Sequence, residues 1–137
     1  MKLIGFIDKA SYVTCNDYEI ELLMDRTGLS IPDIASRLKA LIVTRGEKGS
    51  EIYTEGKRID IPAVPVDASA DLDPTGCGDA YRAGLLYGLT NDLSWESTGR
   101  LASLLGAIKI VHKGAQNHVF TPASIADQFE AAFGYRF

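Results

Sequence analysis

At 137 residues, 46% of them hydrophobic and 23% charged, the chain has the apolar mass of a single core and reads as one soluble domain or part of one. Its net charge of -4 comes from interspersed acidic and basic residues with no Lys/Arg run, which excludes the electrostatic footprint of a nucleic-acid binder. Neither a cationic leader nor an apolar run of about 18 residues occurs, so no targeting segment and no membrane partner are expected, and the cytoplasm is the expected location.

The opening Met1–Ile7 has no helix start signal and reads as the tail of a helix belonging to a longer chain. Ser11–Cys15 is β-prone, and Asn16 or Asp17 can then cap a helix on which Ile20, Leu23 and Met24 recur at helical spacing. Gly28 stops that helix. Ser30-Ile31-Pro32-Asp33 starts the next, with Ile34, Ala35 and Leu38 inward. Ala40–Thr44 is a continuous apolar run, as expected of a central strand of a parallel sheet covered on both faces. Glu51–Thr54 and Arg58–Ile61, joined through Glu55-Gly56-Lys57, predict a hairpin. Pro62 to Pro74 reads as a loop of the length that usually has a function. A helix runs from Asp79 to Leu89, Thr90–Asp92 breaks it, and a longer one extends from Ser94 or Trp95 to about Val111 with Leu101, Leu104, Leu105 and Ile108 on one face. Lys113–His118 is a polar loop, and Thr121-Pro122 opens a last helix with Ile125, Phe129 and Phe133 inward. Alternating strands and helices make this an α/β fold.

The chemistry concentrates in Asp73-Pro74-Thr75-Gly76-Cys77-Gly78-Asp79, a glycine turn that runs straight into a helix. Glycines beside a small residue let backbone N–H groups converge without Cβ obstruction, and the helix start adds its positive dipole end. That is an anion hole. At its mouth, Asp79 can accept the proton of an attacking hydroxyl while the amides stabilise a transferring phosphoryl group, although an aspartate there can equally serve as a first-turn acid. No Gly-Lys-Ser/Thr follows, so this is not a P-loop. Cys15 and Cys77 stand in unlike contexts and read as reduced thiols, and His112 and His118 have no metal-ligand company.

The stretch from Asp73 to Asp79 resembles the second signature of the ribokinase-like, or PfkB, family of carbohydrate and nucleoside kinases. Three further segments match in the family's order. Asn16-Asp17-Tyr18-Glu19 is similar to its Asn-x-x-Glu motif, Thr44-Arg45-Gly46-Glu47-Lys48-Gly49 to its Thr-x-Gly-x-x-Gly turn, and Lys113-Gly114-Ala115-Gln116 to its adenine-covering loop. The resemblance implies a Rossmann-type three-layer α/β/α fold, of which the whole chain, residues 1–137, would be the C-terminal half without the substrate-binding N-terminal half and lid.

It implies that Asp79 is the general base and that Gly76, Cys77 and Gly78 supply the anion-hole amides. Thr44, Gly46, Gly49 and Lys113, Gly114, Ala115 and Gln116 would border ATP. Asn16 and Glu19 would organise Mg2+ through water, and Asp73 and Thr75 would form part of a K+ site. The small-molecule acceptor would be a nucleoside, adenosine above all, with ribose or fructose as the alternative; a nucleotide-binding module without catalysis of its own is the other reading. Arg82 stands where many sugar-kinase members have an uncharged residue, and its role stays open between substrate, phosphate and solvent. Exposed strand edges of such a half-fold imply self-association, including a homodimer.

Overall fold

The computed structural model describes residues 2–64, 77–110 and 122–137, and these fall into two compact units divided after Ile61. In the first unit, helix α1 (Lys2–Lys9) leads into strand β1 (Tyr12–Asn16), helix α2 (Asp17–Thr27), the short helix α3 (Ile31–Ser36) and strands β2 (Ala40–Thr44), β3 (Ser50–Thr54) and β4 (Lys57–Ile61). Local signals set these boundaries. Gly28 ends α2 in the left-handed region at φ 71°, its N–H donating to Met24 O over 2.9 Å. Ser30 caps α3 reciprocally with Asp33, the Asp33 N–H donating to Ser30 Oγ and the Ser30 N–H to Asp33 Oδ2.

The four strands form one sheet in the order β1-β2-β3-β4. β1 and β2 run parallel, Tyr12 opposite Ala40 and Asn16 opposite Thr44, whereas β3 returns antiparallel to β2. The expectation of a fully covered central strand holds, since Ala40 to Val43 are all buried, but the sheet is mixed. The tight connection at Gly46–Gly49 and the hairpin at Glu55-Gly56, both residues at positive φ, leave no length for parallel crossovers. Ile20 of α2 and Ile34 of α3 are wholly buried and pack with Ile7, Cys15, Leu41 and Val43 in one apolar cluster.

The second unit carries helices α4 (Cys77–Thr90), α5 (Trp95–Ile110) and α6 (Pro122–Phe133). α4 begins two residues before the expected Asp79. The N–H groups of a first turn have no intrahelical partner, so Gly78 weakens little by standing there. Leu101, Leu104, Ile108 and Phe129 make the core, and Tyr135 and Phe137 close edge-on around Phe129 with centroids 5.2 and 4.9 Å away. α4 lies very close to α5: a Cβ built on Gly84 would come 2.6 Å from Ala102 Cα, and one on Gly88 would meet Thr98.

Candidate functional site

The carboxyl ends of parallel strands in an open α/β sheet are where ligands bind, because loops and helix starts gather there. In this chain β1 and β2 end side by side at Asn16 and Thr44. Asn16 caps α2: its Oδ1 accepts from the Glu19 N–H over 2.7 Å, and its own N–H donates to Glu19 Oε1 over 2.9 Å. The two residues expected to organise magnesium are thus brought together as a capping box. One Glu19 oxygen is held by the backbone. Its other oxygen has no partner among the described residues, which suits contact with a hydrated Mg2+ through water rather than direct ligation. Among the described residues no cluster of three or more His, Cys, Asp or Glu side chains stands ready to hold a metal.

Across from Asn16, Thr44 leads into a turn closed by the Arg45 N–H donating to Gly49 O over 2.8 Å and the Gly49 N–H donating to Gly46 O over 3.1 Å. Gly46 and Gly49 take φ of 58° and 93°, which explains the glycines at these two expected positions. Sequence reasoning missed what anchors this turn. Arg45 forks onto the half-buried Glu51 carboxylate through Nε at 2.8 Å and Nη2 at 3.0 Å, and the Tyr53 hydroxyl donates to the same group over 2.6 Å. Alternation along β3, which puts Glu51 and Tyr53 on one side, is the signal that would have found them. Burial alone pushes the Glu51 carboxyl up; hydrogen bonds from Arg45 and Tyr53 outweigh it and hold the group below the usual carboxylate range. Cys15, beside Asn16, is buried, and desolvation, with help from Glu19, pushes its thiol up to about 11, so it is an inert core residue.

In the second unit, the backbone of Cys77 and Gly78 opens α4, and Asp79 follows within its first turn. The Asp79 side chain is 83% exposed, and its Oδ1 accepts from Arg82 Nη1 over 2.7 Å. The first-turn amides of this 14-residue helix lack helical acceptors and, with the dipole, favour an anion beside the Asp79 carboxylate. The expected residues Asp73, Thr75 and Gly76 and the segment Lys113, Gly114, Ala115 and Gln116 lie outside the described residues, as do both histidines and the Cys77 side chain. An apolar cavity of about 450 Å³, lined in part by Val64, Leu104, Gln128 and Phe133, holds no titratable side chain and none of the expected site residues.

Known proteins resemble this chain along most of its length. The pattern of the pfkB family carbohydrate kinases matches residues 3–122. A nucleoside kinase of Methanocaldococcus jannaschii is 34% identical over 128 residues, 93% of this chain and 42% of that protein. The structure of Burkholderia thailandensis nucleoside kinase in complex with inosine is 51% identical and superposes with a TM-score of 0.92, covering 98% of this chain and 44% of that one. The same nucleoside kinase in complex with ADP-inosine superposes at 0.90 and 51% identity, over 98% of this chain and 41% of that one. The chain therefore spans less than half the length of these relatives.

Proposed function

The chain belongs to the pfkB family of carbohydrate kinases, and from that premise we propose that it is the ATP-handling, C-terminal catalytic part of a cytoplasmic nucleoside kinase. The observation that carries the proposal is the Asp79 carboxylate, exposed in the first turn of α4 next to helical amides that lack acceptors. In the proposed reaction the hydroxymethyl O–H of the nucleoside gives its proton to Asp79 as its oxygen bonds to the γ-phosphorus of ATP. The bond from that phosphorus to the β,γ-bridging oxygen breaks, and ADP leaves. Amides of Gly76, Cys77 and Gly78 stabilise the transferring group, whose catalysis rests on positioning and electrostatics.

Thr44, Gly46 and Gly49, with Lys113 to Gln116, border the nucleotide in this reading. Magnesium, when bound, neutralises charge on the phosphates, and Asn16 and Glu19 would meet its water shell. Asp73 and Thr75 would take part in a potassium site. A nucleoside acceptor is favoured because relatives at 34% and 51% identity carry nucleoside kinase as their name and one was solved with inosine. Among the described residues no helix is long and apolar enough to cross a membrane.

The test is Asp79→Asn in the complete protein that carries these residues, with adenosine, inosine, ribose and fructose as acceptors. Turnover should fall on the order of a hundredfold or more while ATP binding persists, since a base is needed for transfer and not for binding. Equal turnover of the two proteins would remove the base from Asp79, and a sugar turned over faster than both nucleosides would overturn the acceptor.

A further inference from the structure

Arg82 is the charged residue near this site that the proposed reaction leaves without a role. It sits one helical turn beyond Asp79 on α4, and both side chains are largely exposed, 61% and 83%. Nη1 donates to Asp79 Oδ1 over 2.7 Å, while Nη2 lies 3.9 Å from where a Cβ on Gly78 would stand. The guanidinium therefore reaches back across the first turn, from the carboxylate to the glycine.

Resting on the assignment of Asp79 as the base, we propose that Arg82 is a positioning residue: it grips Oδ1, fixes the rotamer of the carboxylate and leaves Oδ2 to take the proton of the acceptor hydroxyl. Among the described residues nothing else pairs with Asp79. On the neighbouring helix α5, Glu96 and Arg100 pair with each other over 2.6 Å, and Arg100 also lies on the Phe133 and Tyr135 rings. Arg82 is thus the cation set against the base. A carboxylate swinging freely in water would spend most of its time out of line with the hydroxyl, and an i,i+3 arginine is a compact way to hold it.

The experiment compares the complete protein with its Arg82→Met and Arg82→Lys variants in kcat and in KM for ATP. Removing the cation should lower kcat about tenfold with KM for ATP changed less than about twofold, because orientation and not nucleotide binding is lost. Arg82→Lys should recover part of kcat. Adding Arg82→Met to Asp79→Asn should cost little beyond Asp79→Asn alone, since the two act as one unit. The inference is overturned if KM for ATP rises while kcat holds, as a phosphate contact would require, or if kcat stays at the parent value. Asp79→Asn separates the two claims: if it abolishes turnover while Arg82→Met is inert, only the role of Arg82 falls, and if it is itself inert, the base assignment falls first.

Discussion

Glu51 shows how much a single carboxylate can organise. At 12% side-chain exposure it accepts two hydrogen bonds from Arg45 and one from Tyr53, and Arg58 Nη2 stands 3.4 Å away. Arg45 belongs to the turn that carries Gly46 and Gly49, so the network ties the end of β2 to β3. Replacing Glu51 by Gln keeps the shape but leaves guanidinium donors short of a charged acceptor, and should cost about 1–2 kcal/mol near neutral pH, discounted for the exposure of the arginines. The pH dependence has a definite sign. The folded-state pKa lies below the ordinary 4.5, so the native fold gains from this group fully above that value and loses the gain as pH falls through the lower, folded one. Thermal melts of parent and Glu51→Gln should therefore differ at pH 7 and converge as pH drops below about 4.5. A difference that stays constant through the acid range would show that the carboxylate charge is not what matters.

Between elements, α4 and α5 depend on glycine for contact rather than for conformation. A Cβ at Gly84 would meet the Ala102 backbone, with Cα at 2.6 Å and N at 2.9 Å, which cannot give way unless the helices part. At Gly88 the obstruction is the Thr98 side chain, whose buried hydroxyl has no partner among the described residues. Gly84→Ala should thus destabilise by about 2 kcal/mol even after its gain in helix propensity, and Gly88→Ala by about as much alone. Trimming Thr98 to Ala should recover part of the loss at Gly88 and none at Gly84, a difference that chemical denaturation of the single and double variants reads directly. This pairing was not legible in the sequence, where Gly84 and Gly88 are only poor helix formers, because close approach is a property of two helices. What was legible is what is encoded within a few residues: the caps at Asn16 and Ser30, the stop at Gly28, the hairpin turn at Gly56, the buried run Ala40–Val43 and the inward face of α6. The Asn-x-x-Glu spacing was legible too, but not its geometry; only coordinates show Asn16 and Glu19 locked in a mutual cap. Glu51 escaped for the same reason as Gly84, since its partners Arg45 and Arg58 come from a turn and from the next strand.

For the molecule as a whole, the sheet and the length of the relatives argue the same way. β1 pairs only with β2 among the described strands, although its residues Val13 and Thr14 are half-buried and its outer edge keeps a row of backbone donors and acceptors. Parallel strands are ordinarily buried inside larger sheets, and the chain spans only 42% to 44% of relatives that fold in the same way. An edge that pairs with no other described strand is a template for another strand, whether from further chain of the same protein or from a second copy. The 137-residue chain on its own should therefore gain mass with concentration in the micromolar range by light scattering, while the complete protein should not open this edge to copies of itself. Phosphotransfer should separate along the same line. Binding a nucleotide needs only groups that hold its phosphates and base, whereas transfer needs the acceptor hydroxyl held in line with the γ-phosphorus. With ATP and magnesium, the isolated chain should show nucleotide binding at reduced affinity and no transfer to adenosine or inosine, and the complete protein should show both. A monomeric 137-residue chain that phosphorylates adenosine at the rate of the complete protein would mean that the acceptor pocket lies within these residues, and that the open edge of β1 is an ordinary sheet margin.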